Sequence, residues 1–201
     1  MARLPTLDLL LVRHAEAVPI GSPEVEEDAR PLTRAGQAAA LELADELEPF
    51  QVSAIYSSPY TRAVQTVLPL ALRRGLEVHI LADLRERRLS PTLFGDAWRE
   101  HLERAWREAD YAPPGGETGR NAQRRAMAML DLLRSRHLEG GRVVVGSHGN
   151  LISLVLQSLE PKVDFAFHMA MPMPALYHLS HDGVGWRVMG GHGFRSIADV
   201  S

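Results

Sequence analysis

Five side chains in this sequence are of the types that handle phosphate, and each follows a short apolar run. Leu7 to Val12 ends in Arg13-His14. Val52 to Tyr56 leads through Ser57-Ser58-Pro59 to Arg62. Val78 to Leu81 leads into Asp83-Leu84-Arg85-Glu86-Arg87-Arg88, and Val143 to Gly146 ends in Ser147-His148-Gly149-Asn150. An arginine fork binds phosphate oxygens bidentately. A neutral imidazole, with an unperturbed pKa of about 6.5, can attack phosphorus. A second imidazole, protonated in the field of the phosphate, stabilises the transition-state oxygens. A carboxylic acid supplies the proton that a leaving alkoxide needs. Backbone N–H groups at a helix start after His148, where Gly149 sits, favour an anion. This set calls for no metal and no cofactor.

Such residues act together only if the fold gathers them. The apolar runs at Leu7–Val12 and Val143–Gly146 have the continuous character of strands buried on both faces. Between the runs lie segments of helical period. Ala40, Leu43, Ala44 and Leu47 share a face, with Thr33 as N-cap and Pro49 as stop. A second helix spans Tyr60 to Arg74, with Gly75 at its end. A third covers Asp96 to Glu108, with Trp98, Leu102 and Trp106 on one side. A fourth runs from Thr118 or Gly119 to Leu138, and a fifth from Leu151 to Leu159. Two final strands, Ala175–Leu179 and Gly185–Met189, flank the turn His181-Asp182-Gly183. Alternating strands and helices predict an α/β fold: a three-layer α/β/α sandwich on a mostly parallel sheet with an antiparallel edge. In such sheets the residues after the strands converge on one edge. Arg13, His14, Arg62, Glu86 and His148 are therefore expected in one pocket.

Composition narrows the alternatives. A chain of 201 residues is expected to form one domain over residues 1–201. A net charge of −3 speaks against general affinity for nucleic acid or anionic membranes. The lack of cysteine excludes disulfides, a thiol nucleophile and cysteine-bound metal. No apolar run approaches the roughly 20 residues of a membrane span. Nothing at the N-terminus resembles a signal peptide, so a cytoplasmic location is expected.

Taken in order, the motifs resemble those of the histidine phosphatase (phosphoglycerate mutase-like) superfamily. Arg13-His14-Ala15-Glu16 is similar to its first histidine motif, and Arg30-Pro31-Leu32-Thr33-Arg34-Ala35-Gly36 to a shared helix start. Ser57 to Thr66 is similar to its second arginine motif, and Ser147-His148-Gly149-Asn150 to its second histidine motif. Leu84-Arg85-Glu86 lies where many members carry the general acid. The resemblance implies a phosphoglycerate mutase-like fold and a metal-independent phosphatase acting on a small phosphorylated substrate, or on protein phosphohistidine. His14 would become phosphohistidine, and water would then hydrolyse it. Arg13, Arg62, His148 and Gly149 would hold the phosphate, and Glu86 would act as acid and then as base.

Some positions depart from the pattern. Arg-His-Ala with Arg-Pro-Leu-Thr is similar to the phosphohistidine phosphatase branch, whose small members tend to lack the acid. Mutases typically carry a Trp-Asn pair where this chain has Val18-Pro19-Ile20, and no paired-arginine segment stands out between Asp96 and Glu117. Hydrolysis is thus expected over mutase activity, and over a member that binds phospho-ligands without turnover. Other positions have structural explanations. The charge run around Glu86 is of the kind that forms a solvated face. Glu117 suits either the pocket or the first turn of a helix. The acidic loop Pro19 to Pro31 suits a lid or plain surface. Met169, Met171 and Met173 suit an apolar wall or core packing.

Overall fold

A computed structural model describes residues 5–20, 25–89 and 95–194, with side chains from residue 99 onward in the segment after 95. Positions 90–94 of the loop expected at Ser90 to Gly95, the Trp98 side chain, and Gly21 and Glu24 of the acidic loop lie outside that description, whereas Gly95 opens a helix instead of ending the loop. One six-stranded sheet forms the centre. Its strands are β1 (Leu7–Arg13), β2 (Ala54–Ser57), β3 (Val78–Ile80), β4 (Gly141–Ser147), β5 (Ala175–His181) and β6 (Trp186–Gly191), in the order β3-β2-β4-β1-β5-β6. The first four are parallel. The β5–β6 hairpin pairs antiparallel on the β1 side and makes the expected antiparallel edge.

Alternation along β1 explains its unbroken apolar run. Leu7, Leu9 and Leu11 enter one core with Val143, Val145 and Tyr177. Leu10 and Val12 enter another with Ile55 and Val144. Both faces are covered by helices, so neither can be polar. α1 (Arg34–Glu46) and α2 (Thr61–Arg74) cover the second face. α4 (Gly119–Arg136) and α5 (Gly149–Leu159) cover the first. The architecture is the three-layer sandwich read from the sequence.

Local signals account for the helix ends. Thr33 Oγ1 accepts the Gly36 N–H at 3.0 Å, and Thr118 Oγ1 accepts the Asn121 N–H at 3.1 Å. Gly75 closes α2 in the left-handed region, at φ 63°. Gly36 is required by contact: a Cβ there would lie 2.0 Å from the Glu16 carbonyl oxygen. α1 is thereby pressed onto the turn that follows β1.

Two expectations need correction. α5 begins at Gly149, not Leu151, so its first turn starts directly at His148. A helix not anticipated, α6 (Phe165–Ala170), follows; its N-cap Asp164 accepts the Phe167 N–H at 2.8 Å. With six residues it is too short to show a helical period. α3 (Gly95–Arg107) contributes Leu102 to the core, while Trp106 is partly buried and stacks on His168, ring centroids 5.2 Å apart. Of the three methionines only Met171 is core; Met169 and Met173 are exposed.

Candidate active site

The register of β1 on β4 sets the two histidines side by side. Arg13 lies opposite Ser147, and the His14 N–H donates to the Ser147 carbonyl at 3.0 Å. Each strand then releases its histidine at the same edge, and the rings meet edge to face with centroids 5.2 Å apart. Both residues are buried.

His14 is oriented by its neighbours. Its Nδ1 lies 2.7 Å from the Ala15 carbonyl oxygen. A carbonyl can only accept, so Nδ1 carries the hydrogen and Nε2 presents a lone pair. That lone pair accepts the Nε–H of Arg62 at 3.2 Å. Burial pushes the His14 pKa down to about 3, against the bond to Ala15 and helped by Arg62, Arg13 and Arg30. The imidazole is therefore neutral, with Nε2 free of a proton and facing the arginines.

Arg62 stands in the first turn of α2 and is fully buried. The Arg62 backbone is tied through Thr66, whose hydroxyl donates to the Arg62 carbonyl at 2.7 Å and accepts the Ala15 N–H at 3.0 Å. Tyr60 fills the space beside it. Its ring lies 4.8 Å below the guanidinium carbon and 4.9 Å from the His148 ring.

His148 shares a hydrogen bond between Nε2 and Ser58 Oγ at 2.8 Å, while Nδ1 is buried with no hydrogen-bond partner among the described residues. Burial, followed by His14 and Arg62, holds its pKa well below the ordinary value. Both imidazoles are thus neutral in the substrate-free chain.

Arg13 crosses to the other side of the pocket. Its Nη1 donates to the Met171 carbonyl and, at 3.4 Å, to that of Pro172. Gly149 permits this path: a Cβ at 149 would lie 2.9 Å from Arg13 Nε and 3.0 Å from its Cζ. Gly149 is needed by the arginine, a different contact from the anion contact expected of it.

Glu86 is the anion that occupies the start of α5. Its Oε1 accepts the N–H groups of Arg87 at 2.8 Å and Leu151 at 3.0 Å, and its Oε2 accepts that of Asn150 at 3.2 Å. The helix N-terminus expected to face a phosphate thus faces a protein carboxylate at these two amides. Burial raises the Glu86 pKa above the usual carboxylate range, opposed by those same amides and by Arg62. The charge run around it divides accordingly. Arg87 is buried, bonding to the Glu117 carbonyl at 3.1 Å, whereas Asp83 is exposed.

Glu117 is paired with Arg125. Its carboxylate takes both Nε and Nη2 of Arg125, at 3.1 and 2.8 Å, and Thr118 caps the helix. The salt bridge pins the 113–118 turn against the segment that carries Glu86.

All five predicted side chains therefore meet at one sheet edge. Four others there were not anticipated: Ser58 and Tyr60, described above, and the pair Glu27 and Arg30. Glu27 Oε1 accepts from Nη2 of Arg62 at 2.9 Å and Nη2 of Arg30 at 2.8 Å, and Oε2 accepts Nε of Arg30 at 2.7 Å. Ser58, Tyr60 and Arg30 do stand within recognised motifs, which was the one available signal. Among the described residues, no cluster of three or more histidine, aspartate or glutamate side chains is arranged to hold a metal ion. Nor is any described helix long and apolar enough to cross a membrane.

Known proteins share this fold. The model of the histidine phosphatase superfamily, branch 1, matches residues 9–190. A mycobacterial glucosyl-3-phosphoglycerate phosphatase in complex with VO3 superposes with a TM-score of 0.74 at 26% identity, covering 94% of this chain and 98% of that one. Bacillus stearothermophilus YhfR superposes with a TM-score of 0.76 at 25% identity, covering 91% and 95%. A 2,3-bisphosphoglycerate-dependent phosphoglycerate mutase of Parvibaculum lavamentivorans is 33% identical over 93 residues, which is 44% of either chain. The match to such curated relatives thus spans less than half their length. On the family match, the chain belongs to the histidine phosphatase superfamily.

Proposed function

We propose that this protein is a metal-independent phosphatase that hydrolyses small phosphomonoesters through a phosphohistidine on His14. The observation that carries this reading is the neutral His14 ring, with its Nε2 lone pair held among arginines by the Nδ1–Ala15 bond. A phosphoryl group entering beside Nε2 draws the Arg62 Nε–H onto a phosphate oxygen and frees the lone pair. Nε2 then bonds to phosphorus as the bond to the ester oxygen breaks. Arg13, Arg62 and a protonated His148 stabilise the charge on the transferring oxygens. Glu86, protonated, gives its proton to the leaving alkoxide. In the second half, water attacks phosphorus, Glu86 takes its proton, and the N–P bond breaks to restore neutral His14. The raised pKa of Glu86 suits a group that must hold a proton and then accept one.

A phosphorylated small molecule as substrate is supported by the relatives, of which one is a glucosyl-3-phosphoglycerate phosphatase and another a phosphoglycerate mutase. Phosphate release from a panel of sugar-acid, amino-acid and aryl phosphates, run with and without a chelator, tests the proposal. Hydrolysis unaffected by the chelator supports it. Isomerisation of a phosphoglycerate faster than phosphate release would replace it with the mutase reading. Dependence on added divalent metal would remove the arginine-based mechanism.

A further inference from the structure

The loop before α1 brings an additional cation to the pocket, together with an anion already bound to it. Arg30 is 6% exposed. One edge of its guanidinium is fixed to the fold by Nη1, which donates to the Val18 carbonyl at 2.5 Å. The other edge, Nε and Nη2, is filled by the Glu27 carboxylate at 2.7 and 2.8 Å. The same Glu27 Oε1 takes Nη2 of Arg62 at 2.9 Å, and the Glu27 carbonyl takes Nη1 at 2.7 Å. One carboxylate therefore bridges two arginines, and the second of these touches His14.

The three partners differ in exposure. The arginine side chains are 8% and 2% exposed, whereas the Glu27 side chain is 49% exposed. The cations are held by the fold, and the anion between them is open to solvent. A phosphate offers an arginine fork the same paired oxygens as a carboxylate, with higher charge. The half-exposed Glu27 carboxylate can be reached by a competing anion from solvent, while the forks it fills stay in place on the buried arginines.

We infer that Glu27 holds the place of the substrate phosphate on Arg62 and Arg30, and that Arg30 becomes a third phosphate-binding arginine once a phosphoryl group displaces the Glu27 side chain. This rests on the pocket being a phosphate site, as proposed above. It also defines a substrate class. A dianionic monoester gains charge interaction by replacing a single carboxylate, whereas a phosphodiester or a carboxylate, each with one negative charge, does not. The pocket therefore selects monoesters over diesters at the binding step.

Calorimetric titration with inorganic phosphate tests this on the whole protein. Glu27→Gln, which keeps shape and removes charge, is expected to bind phosphate about ten-fold tighter than wild type, as loss of a competing charge-assisted pair implies. Its KM for an aryl phosphate should fall in step while kcat changes little. Adding Arg30→Lys to that variant should abolish most of the gain, because an ammonium lacks the fork. Melting curves of each variant confirm folding, and Glu27→Asp, which keeps charge but shortens reach, should give an intermediate gain. Phosphate binding by Glu27→Gln that is unchanged or weaker would make Glu27 a fixed support for Arg62 and overturn the inference, even with wild-type binding intact and lost in Arg62→Ala. Absence of phosphate binding in every variant and in wild type would overturn both the inference and the phosphatase proposal.

Discussion

The two ends of β1 each bury histidine beside charge, in opposite arrangements. At the entry end, His178 Nε2 lies 3.1 Å from Asp8 Oδ1, and Arg142 reaches the same carboxylate at 3.6 Å. The imidazole there has its own carboxylate. At the exit end, His14 and His148 face each other among Arg13, Arg62 and Arg30, and the nearby carboxylates are committed elsewhere: Glu86 to backbone amides, Glu27 to the arginines. Burial depth is similar at both ends, so burial does not distinguish the two sets of histidines. What separates them is the sign of the surrounding charge. A buried histidine beside its own carboxylate has its counter-charge within the fold, whereas neutral histidines ringed by cations favour an anion arriving from outside.

Among the residues around the two histidines, the largest effect is expected at Arg62. Replacing it by Ala should lower kcat/KM by about 10²–10³-fold, the scale of losing a preorganised charge-stabilising donor, with the fold unchanged by circular dichroism. A loss under three-fold would mean that Arg62 only fills space. Next is Glu86→Gln, for which a leaving-group series is the informative measurement. Esters of poor leaving groups should slow by about 10²-fold, and those of good leaving groups far less, because only the former need a proton. Equal losses would remove Glu86 from the acid role and leave it as a cap of α5.

Gly149→Ala should follow at about ten-fold in kcat/KM, since a Cβ 2.9 Å from Arg13 Nε forces the guanidinium to shift. Full activity there would show that Arg13 has room to spare. The smallest effect belongs to the opposite end. Asp8→Asn should leave kcat/KM unchanged and lower stability by about 1 kcal/mol. Burial pushes the Asp8 pKa up, but His178, Ser180 and Arg142 together bring it below its ordinary 3.8. A lowered folded-state pKa gives stability that is complete above 3.8 and lost as pH falls through the lowered value. The wild type should therefore exceed the variant in stability at neutral pH, with the gap closing in strong acid. A drop in activity with stability intact would erase the distinction between the two ends.

How much of this was legible in the sequence follows from the range of each interaction. β1 and β4 were readable because a strand buried on both faces has no polar alternation. A parallel sheet then brought His14 and His148 to one edge, but that β1 and β4 are direct neighbours came only from the fold. Arg62 followed from the chain order of strand, turn and helix. Glu27 and Arg30 were not readable as site residues, because their bonds to Arg62 and Val18 depend on how the 25–31 loop folds back on the sheet edge. Glu117 looked like a pocket or helix-start residue because its partner, Arg125, sits two turns along the next helix. The role of Gly149 was hidden for a similar reason: its tight neighbour, Arg13, is a side chain from another strand.

The central claim is that His14 Nε2 is the nucleophile, and trapping its phosphorylated form tests that most directly. Rapid quenching during turnover of an aryl phosphate should give a burst of leaving group and a phosphoenzyme that is acid-labile and alkali-stable. Both should be absent in His14→Ala, whose turnover should fall by about 10⁴-fold or more. Turnover in His14→Ala equal to wild type, or a phosphoenzyme that persists without His14, would contradict the account at its centre.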